Sequence, residues 1–205
     1  MTDPQVLVNN GFTPAPLWSM EVGQLGAGLI LLGAVLFLGA ALSTAFGRFQ
    51  PLSRWAFAGG CVAVVGAMAS LLVLFTHDQF QFAYINEHSW RDLALQYKIA
   101  AVWSGQQGSF LLWATTSAVF GLLAFLRTGP YQRWFVFAYS LFLGSLCGIL
   151  AYETPFEVLR ELVLNSQHLP LVVNGVLYAL PNGQGLTPSL QNYWVVVHPP
   201  TIFTG

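Results

Sequence analysis

His198 stands directly before two prolines, in a segment whose last fourteen residues are NYWVVVHPPTIFTG. Pro199 and Pro200 fix their own φ angles and bias the preceding residue away from helix, so the sequence predicts His198 on a stiff, non-helical edge. Imidazole is a frequent metal ligand, and a ligand that is held stiffly loses little entropy on binding. A single histidine in an apolar setting is more often a packed or capping residue. The residue type alone does not distinguish these two interpretations, so the residues around His198 must be considered.

A second group of candidates lies in residues 103–113, which have the sequence WSGQQGSFLLW. Trp103 and Trp113 frame this run. These indole rings could stack on a flat ligand. They fit equally well in the belt of aromatic residues that lies at the level of the lipid headgroups. Both interpretations stay open from the residue types alone.

The composition indicates a protein that crosses a membrane several times. Of the 205 residues, 55% are hydrophobic and only 7% are charged, whereas soluble domains contain roughly 25% charged residues. The formal net charge of −1 leaves no basic field for nucleic acid. Cys61 and Cys147 both fall in apolar runs, which favours packing over a disulfide or a redox pair.

Four uncharged apolar runs are each close to the length of about 20 residues that a bilayer-spanning helix needs. They cover residues 22–47, 55–76, 109–126 and 134–152. Many of their residues are glycine or alanine, which lets neighbouring helices approach closely. The sequence therefore predicts an all-α polytopic membrane protein with four transmembrane helices.

The charged residues predict the orientation of these helices. Arg48 and Arg54 lie between the first two spans, and Arg127 and Arg133 lie between the last two, in loops without acidic residues. All eight acidic residues fall on the opposite side: Asp3, Glu21, Asp78, Glu87, Asp92, Glu153, Glu157 and Glu161. The positive-inside rule then places both termini and all four histidines outside the cytoplasm.

The external loop over residues 77–108 contains two local signals. Phe80, Phe82 and Tyr84 alternate with other residues, which predicts a short extended run at the membrane interface. The sequence from Ser89 to Asp92 matches a capping box and predicts an interfacial helix that continues through Lys98.

The segment over residues 153–205 is predicted to form an external cap. A capping box at Thr154 predicts a short helix that continues to about Leu162. Asn174-Gly175 between two apolar pieces predicts a small β-hairpin, and residues 182–188 have the composition of a loop. We therefore divide the chain into a four-helix bundle over residues 1–152 and a cap over residues 153–205. Because the last residues are apolar, we expect them to lead into a further helix, so that the chain is a fragment or one part of a split polypeptide.

The sequence resembles the CcmF-type cytochrome c heme lyases, over most of the chain from about Glu21 onward. Two blocks of residues carry the resemblance. The first block is Tyr97-Lys98, Trp103, Gly105, Gly108, Ser109 and Leu111-Leu112-Trp113. The second block is Gly183 to Leu186, Pro188, Leu190-Gln191-Asn192, Trp194 and His198-Pro199-Pro200.

The resemblance implies that His198 is an axial ligand of a b-type heme that awaits transfer. It also implies that Trp103, Trp113 and Trp194 are aromatic residues of the heme site, and that the second axial ligand lies outside this chain. The reaction would join heme to the two cysteines of an apocytochrome c Cys-x-x-Cys-His segment, with no catalytic side chain from this chain. The expected partners are apocytochrome c, a heme-delivery chaperone, other cytochrome c maturation proteins, the remainder of the lyase and the lipid bilayer. The expected location is the bacterial inner membrane, with the functional loops on the periplasmic side.

The sequence also departs from this family. Gln107 stands where the family usually has Glu, and the tryptophan-rich heme-binding motif and the later histidines of the family are absent. Two other classes of function therefore remain as alternatives. A transport or channel subunit is disfavoured, because none of the four predicted spans contains an ionisable Asp, Glu, Lys, Arg or His. A non-catalytic scaffold for partner proteins would not need His198.

Overall fold

The computed structural model describes residues 4–47, 50–164 and 167–204, and this part of the chain is mostly helical. The helices are α1 (Pro4–Asn9), α2 (Leu17–Ala45), α3 (Gln50–Thr76), α4 (Ala83–His88), α5 (Leu95–Ala101), α6 (Gln106–Phe125), α7 (Gln132–Tyr152) and α8 (Tyr193–Thr204). The strands are β1 (Thr13–Pro14), β2 (Glu161–Leu164), β3 (Gln167–Pro170), β4 (Val172–Val173) and β5 (Val176–Ala179). The helical prediction is confirmed, with more β-structure than the single hairpin expected from the sequence.

Four of the helices, α2, α3, α6 and α7, are long and apolar enough to cross a membrane. The number of predicted spans is therefore confirmed. The first span, α2, begins at Leu17, five residues before the predicted start, because the exposed Glu21 is accommodated inside the helix. The orientation with both termini outside stays a prediction, and two of its charges, Asp3 and Arg48, lie outside the described residues.

A buried aromatic cluster joins the four long helices at one end of the bundle. The ring of Phe57 in α3 is fully buried. Its centroid lies 6.0 Å from Phe37 in α2, 5.6 Å from Phe125 in α6, and 6.0 and 6.2 Å from Phe135 and Tyr139 in α7. Each such aromatic pair adds about 1 kcal/mol beyond the burial of its area. One side chain therefore contacts all three neighbouring helices.

The predicted hairpin at Asn174-Gly175 is confirmed. Strands β4 and β5 pair antiparallel around this turn, and both turn residues have positive φ angles of 52° and 79°. Positive φ at both central positions is the requirement of a type I′ turn, which favours Asn-Gly. Strand β1 adds to the other edge of β5, so the N-terminal segment and the cap share a sheet. The division at residue 152 itself stays a prediction.

The predicted helix from Thr154 to Leu162 is wrong. This segment is not helical: residues 155–156 form a turn, and Val158 forms an isolated antiparallel bridge with Phe82. The Ala83 N–H donates to the Glu157 carbonyl at 2.9 Å, and the Leu159 N–H donates to the Gln81 carbonyl at 2.8 Å. The Glu157 carbonyl and the Leu159 N–H are thus bonded to residues 81–83 and are not available for hydrogen bonds within a helix. A second hairpin, β2–β3, follows, and its turn residues lie outside the described residues.

The capping box at Ser89 is also wrong, although the helix that contains Lys98 exists. Ser89 ends α4, and α5 begins only at Leu95. The intervening backbone is bound by the cap, since the Arg91 N–H donates to Asn182 Oδ1 at 2.8 Å. The expected extended run around Phe82 is likewise limited to its single bridge, because α4 starts at the next residue.

Glycines of α2 allow the cap to lie close against the bundle. A methyl group at Gly23 would lie 2.5 Å from the ring of Phe82, and one at Gly26 would overlap the ring of Phe156. Both rings are almost completely buried. The aromatic side chains of the loops therefore occupy the space that a larger residue in α2 would fill.

A nearly buried ion pair fastens α5 to the end of α3. The Lys98 ammonium donates to Asp78 Oδ1 and Oδ2 at 2.6 and 2.7 Å, and to the Arg91 carbonyl at 2.9 Å. The two side chains are 9% and 22% exposed. All three protons of the ammonium are used, so this lysine has a structural role in the described part of the chain.

We expect Lys98→Met to lower the free energy of unfolding by about 3 kcal/mol, because it leaves the Asp78 carboxylate nearly buried without its partner. Thermal unfolding of the purified protein in detergent measures this change. Arg91→Gln is the matched control, because the Arg91 side chain is exposed. The double variant Lys98→Met with Asp78→Asn should recover part of the loss. Equal stability of Lys98→Met and the control would contradict the structural role.

Candidate functional site

The segment with His198 is helical, contrary to the prediction of a non-helical edge. Helix α8 runs from Tyr193 to Thr204 and contains both prolines. Its start is capped by Asn192, whose side-chain oxygen accepts the N–H groups of Trp194 at 2.9 Å and Val195 at 3.3 Å. This is the bond pattern of an N-cap residue. Because the φ of proline is itself close to the helical value, a good cap outweighs the bias against helix before proline.

The two prolines remove helix donors, and other groups bond to part of the backbone. A helical residue at position 199 would donate its N–H to the Val195 carbonyl, but Pro199 has none. The indole N–H of Trp103 donates to this carbonyl instead, at 3.0 Å. Further along, the Thr201 hydroxyl bonds to the carbonyls of Val197 and His198 at 3.0 and 2.8 Å.

A cleft of about 650 Å³ opens between α8 and the turn that joins α5 to α6. Its volume lies in the range of small-molecule and cofactor sites. The lining residues come from the turn, the start of α6, the cap and α8. They are Trp103, Ser104, Ser109, Ser189, Leu190, Asn192, Trp194, Val195, His198 and Pro199. Three of the four residues singled out from the sequence, Trp103, Trp194 and His198, therefore line one cleft.

Trp113 is placed elsewhere. Its ring stacks on Phe203 near the end of α8, with a centroid distance of 5.9 Å and an interplanar angle of 22°. It also meets the edge of Phe142 in α7 at 5.4 Å. Trp113 therefore attaches α8 to the bundle beside the cleft, whereas Trp194 is 68% exposed at its mouth.

The His198 side chain is exposed, and its ring makes no hydrogen bond within the described residues. The rings of His77 and His88 differ, because each bonds through Nδ1 to a backbone carbonyl four residues earlier, at 2.8 and 2.9 Å. Neither of them lines the cleft. The side chain of His168 lies outside the described side chains. His198 thus presents both ring nitrogens to a ligand.

The turn that carries Trp103 is held by the buried hydroxyl of Tyr84. This hydroxyl donates to the Val102 carbonyl at 3.0 Å and accepts the Gly105 N–H at 3.1 Å. Burial raises the pKa of the Tyr84 phenol above its usual range, which keeps the donated proton in place. The Ser109 hydroxyl closes the turn by donating to the Trp103 carbonyl at 2.8 Å.

The cap loop is bound to the end of α4, which places the second block of motif residues against the first. The Gln184 N–H donates to the Asn86 carbonyl at 2.7 Å. A methyl group at Gly183 would overlap the Ser89 carbonyl oxygen, so only glycine fits there. The Gln191 side chain donates to the Leu186 carbonyl at 2.9 Å, which joins this loop to the start of α8.

Sequence reasoning missed three contributors to the site. The sequence pattern predicts Tyr84 as an interface residue and predicts no role for Ser104 or Asn192. A signal existed for Asn192, because Asn before a run of apolar residues is a helix-start pattern. The two prolines that follow masked this signal. Ser104 offered no signal that distinguishes it from other serines.

The cleft offers a single imidazole with aromatic and neutral polar neighbours. Within the described residues, no cluster of three or more His, Cys, Asp or Glu side chains could hold a bare metal ion. A porphyrin brings four nitrogens of its own, so its iron needs only axial ligands from protein. The donor set of this cleft therefore fits one axial position of a heme.

Comparison with known proteins gives consistent matches, although no family model matches the chain. The chain is 30% identical to the cytochrome c-type biogenesis protein CycK of Bradyrhizobium diazoefficiens over 186 residues, which is 85% of this chain and 24% of that protein. It is 27% identical to NrfE of Haemophilus influenzae over 195 residues, 89% of this chain and 28% of that protein. CcmF of Pseudomonas fluorescens is 29% identical over 76% of this chain and 21% of its own length.

A solved structure named cytochrome c heme lyase CcmF has the same fold over this region. It superposes with a TM-score of 0.62 and 21% sequence identity, over 90% of this chain and 27% of that one. The chain therefore spans about a quarter of the length of the relatives that it matches.

We expect Gly108→Ala to destabilise the turn between α5 and α6 and to distort the cleft, because the added methyl group would overlap the Val102 carbonyl oxygen. The loss of stability should be about 3 kcal/mol or more, as for severe overpacking. Thermal unfolding measures the loss. Gly148→Ala is the control, since a methyl group there meets nothing within 4 Å. Equal unfolding temperatures for the two variants would contradict the geometry of this turn.

Proposed function

The chain is a homologue of the cytochrome c-type biogenesis proteins CcmF, NrfE and CycK, and from this premise we propose that it acts in cytochrome c maturation as part of a heme lyase. In this proposal the α8 cleft presents heme on the external face of the membrane for attachment to apocytochrome c. The resemblance found from the sequence is confirmed by the comparisons. The activity, substrates and partners belong to the proposal, because the chain covers only part of these relatives.

The observation that carries the proposal is the position of His198. An exposed imidazole without a hydrogen-bond partner in the described residues lines the same cleft as Trp103 and Trp194. Neutral imidazole is a usual axial ligand of heme iron, and flat aromatic side chains suit the faces and edges of a planar ligand. No other described histidine combines these features.

Each residue of the cleft has a proposed task. His198 would hold the iron, and Trp103 and Trp194 bound the volume in which the ring would lie. The Ser189 side chain lies at its polar wall, and the hydroxyls of Ser104 and Ser109, which donate to the Ala101 and Trp103 carbonyls, would accept hydrogen bonds there. When bound, heme would supply the vinyl groups that react with the two cysteine thiols of apocytochrome c. Holding the reactants in position is the main catalytic contribution of such a site, because the chain supplies no nucleophile there.

The remaining components of the reaction would come from outside this chain. The second axial ligand would be supplied by the rest of the lyase, and heme would arrive from a heme-delivery chaperone among the other maturation proteins. We propose that the heme is b-type, meaning that it is not covalently attached, until transfer. The proposed location is the bacterial inner membrane with the cleft on the periplasmic side, as the charge distribution predicts.

A non-catalytic scaffold remains the alternative, and one observation favours it. Helix α8 exposes large apolar and aromatic side chains: Tyr193 and Trp194 are each 68% exposed, and Ile202 is 59% exposed. Exposed apolar groups of this kind mark surfaces that contact other proteins or membrane. A scaffold would bind its partners through this surface without any need for the imidazole.

We expect His198→Ala to abolish both the heme signal of the external site and the production of holocytochrome, since the axial ligand is lost. The decrease should exceed the roughly tenfold loss caused by removal of an indirect metal contact. The measurements are the heme absorbance of the protein purified with the partners that complete it, and the yield of a reporter c-type cytochrome in the same cells.

His77→Ala is the control variant, because His77 is also exposed but bonds to the Val73 carbonyl and lies outside the cleft. Addition of imidazole to His198→Gly should restore the heme spectrum, which a packing defect would not allow. Normal heme content and normal holocytochrome in His198→Ala would overturn the lyase proposal and favour the scaffold.

A further inference from the structure

The carbonyl of Val195 lies in the wall of the cleft and lacks its normal helix donor. In an α-helix it would accept the N–H of the residue four positions later, which here is Pro199. A carbonyl left without any donor in a partly enclosed cleft is costly, and it would allow this turn of the helix to tilt. Val195 and Pro199, the two ends of this missing bond, belong to the same helical turn as His198.

Trp103 supplies the missing donor from a distant part of the chain. Its indole N–H bonds to the Val195 carbonyl at 3.0 Å, across 92 residues of sequence. The backbone of Trp103 is itself fixed, because its carbonyl accepts the Ser109 hydroxyl and its N–H donates to the Ala100 carbonyl at 3.2 Å. The donor is therefore held by the turn and not by α8.

The position of Val195 makes this bond relevant to His198. Residues three apart in a helix lie on the same face, and Val195, His198 and Pro199 all line the cleft. The imidazole has no hydrogen bond of its own within the described residues, so its direction depends on the helix that carries it. Most metal-binding histidines are oriented by a bond to the second ring nitrogen; here the backbone of the preceding turn is the group that is held.

We propose that Trp103 is the positioning residue of His198, acting through the Val195 carbonyl that Pro199 leaves without a backbone donor. This inference rests on the proposed function for the identity of the ligand, but not for the bond itself. In this proposal the His-Pro-Pro sequence supplies the imidazole and also contributes to its position. The first proline creates a free acceptor, and the tryptophan of the other motif block occupies it.

The inference differs from a stacking or headgroup role for Trp103 in one respect. A phenylalanine at this position would retain an aromatic face and most of the apolar volume but would lose the N–H donor. Replacement of Pro199 by alanine would return a backbone N–H to the Val195 carbonyl. The two changes together should therefore compensate each other.

The experiment compares Trp103→Phe, Pro199→Ala and the double variant with the wild type, each in the complete assembly purified from native membrane. The first measurement is the fraction of His-ligated, low-spin heme. We expect about a tenfold weaker heme occupancy in Trp103→Phe, as for the loss of one hydrogen bond that leaves its acceptor unpaired. Pro199→Ala gives the reference level for the double variant, which should recover most of the loss seen in Trp103→Phe.

A second measurement does not depend on heme. Diethyl pyrocarbonate modifies exposed histidines, and mass spectrometry gives the rate at His198 relative to the exposed His77 in the same molecule. We expect Trp103→Phe to change this ratio severalfold and the double variant to restore it. His77 serves as the internal reference because it lies outside the cleft.

The outcomes separate the two proposals. If His198→Ala keeps its heme, the proposed function fails, and the modification rates still decide the positioning role. If Trp103→Phe matches the wild type in both measurements, or if Pro199→Ala does not rescue it, the positioning role is overturned. Rescue in the modification rates supports it in either case.

Discussion

The buried hydroxyl of Tyr84 is the interaction on which the geometry of the cleft depends. It bonds to the backbone on both sides of the turn between α5 and α6, as a donor to Val102 and an acceptor from Gly105. A hydroxyl is the smallest side-chain group that can do both. Because the phenol lies in an apolar surrounding, it stays neutral, and both bonds persist together. The turn that carries Trp103, Ser104 and Ser109 is therefore fixed by a residue of α4.

The glycines of the first motif block follow from the same constraint. A Cβ atom at Gly108 would overlap the Val102 carbonyl oxygen and the Tyr84 hydroxyl, and one at Gly105 would be too close to the rings of His88 and Tyr84. The glycine-containing run at the turn between α5 and α6 is therefore rigid. A rigid turn keeps the indole N–H of Trp103 within reach of its acceptor, the Val195 carbonyl in α8.

The second motif block includes a helix that contains two prolines. Backbone N–H groups are missing where Pro199 and Pro200 stand, and a helix with unpaired carbonyls is unstable. Side chains support this helix: Trp103 replaces the donor that is missing at the Val195 carbonyl, Asn192 caps the start, and the Thr201 hydroxyl adds a bond to the Val197 carbonyl. The stacking of Trp113 on Phe203 then attaches the end of the helix to the bundle. His198 is carried by a helix that depends on contacts from other elements, so the two motif blocks form one unit.

The sequence by itself determined the class of protein, the four long helices and the hairpin at Asn174-Gly175. These features depend on local composition: about 20 uncharged apolar residues suffice for a span, and Asn-Gly favours a type I′ turn in almost any context. The resemblance also singled out His198, Trp103, Trp194 and Trp113, and the first three of these line one cleft. Only the tertiary structure decided that residues 154–160 are not helical, that α5 begins at Leu95 and that the His-Pro-Pro segment is helical. In each of these places a distant segment provides or takes backbone hydrogen bonds, and local sequence patterns carry no information about a partner that lies 74 to 92 residues away.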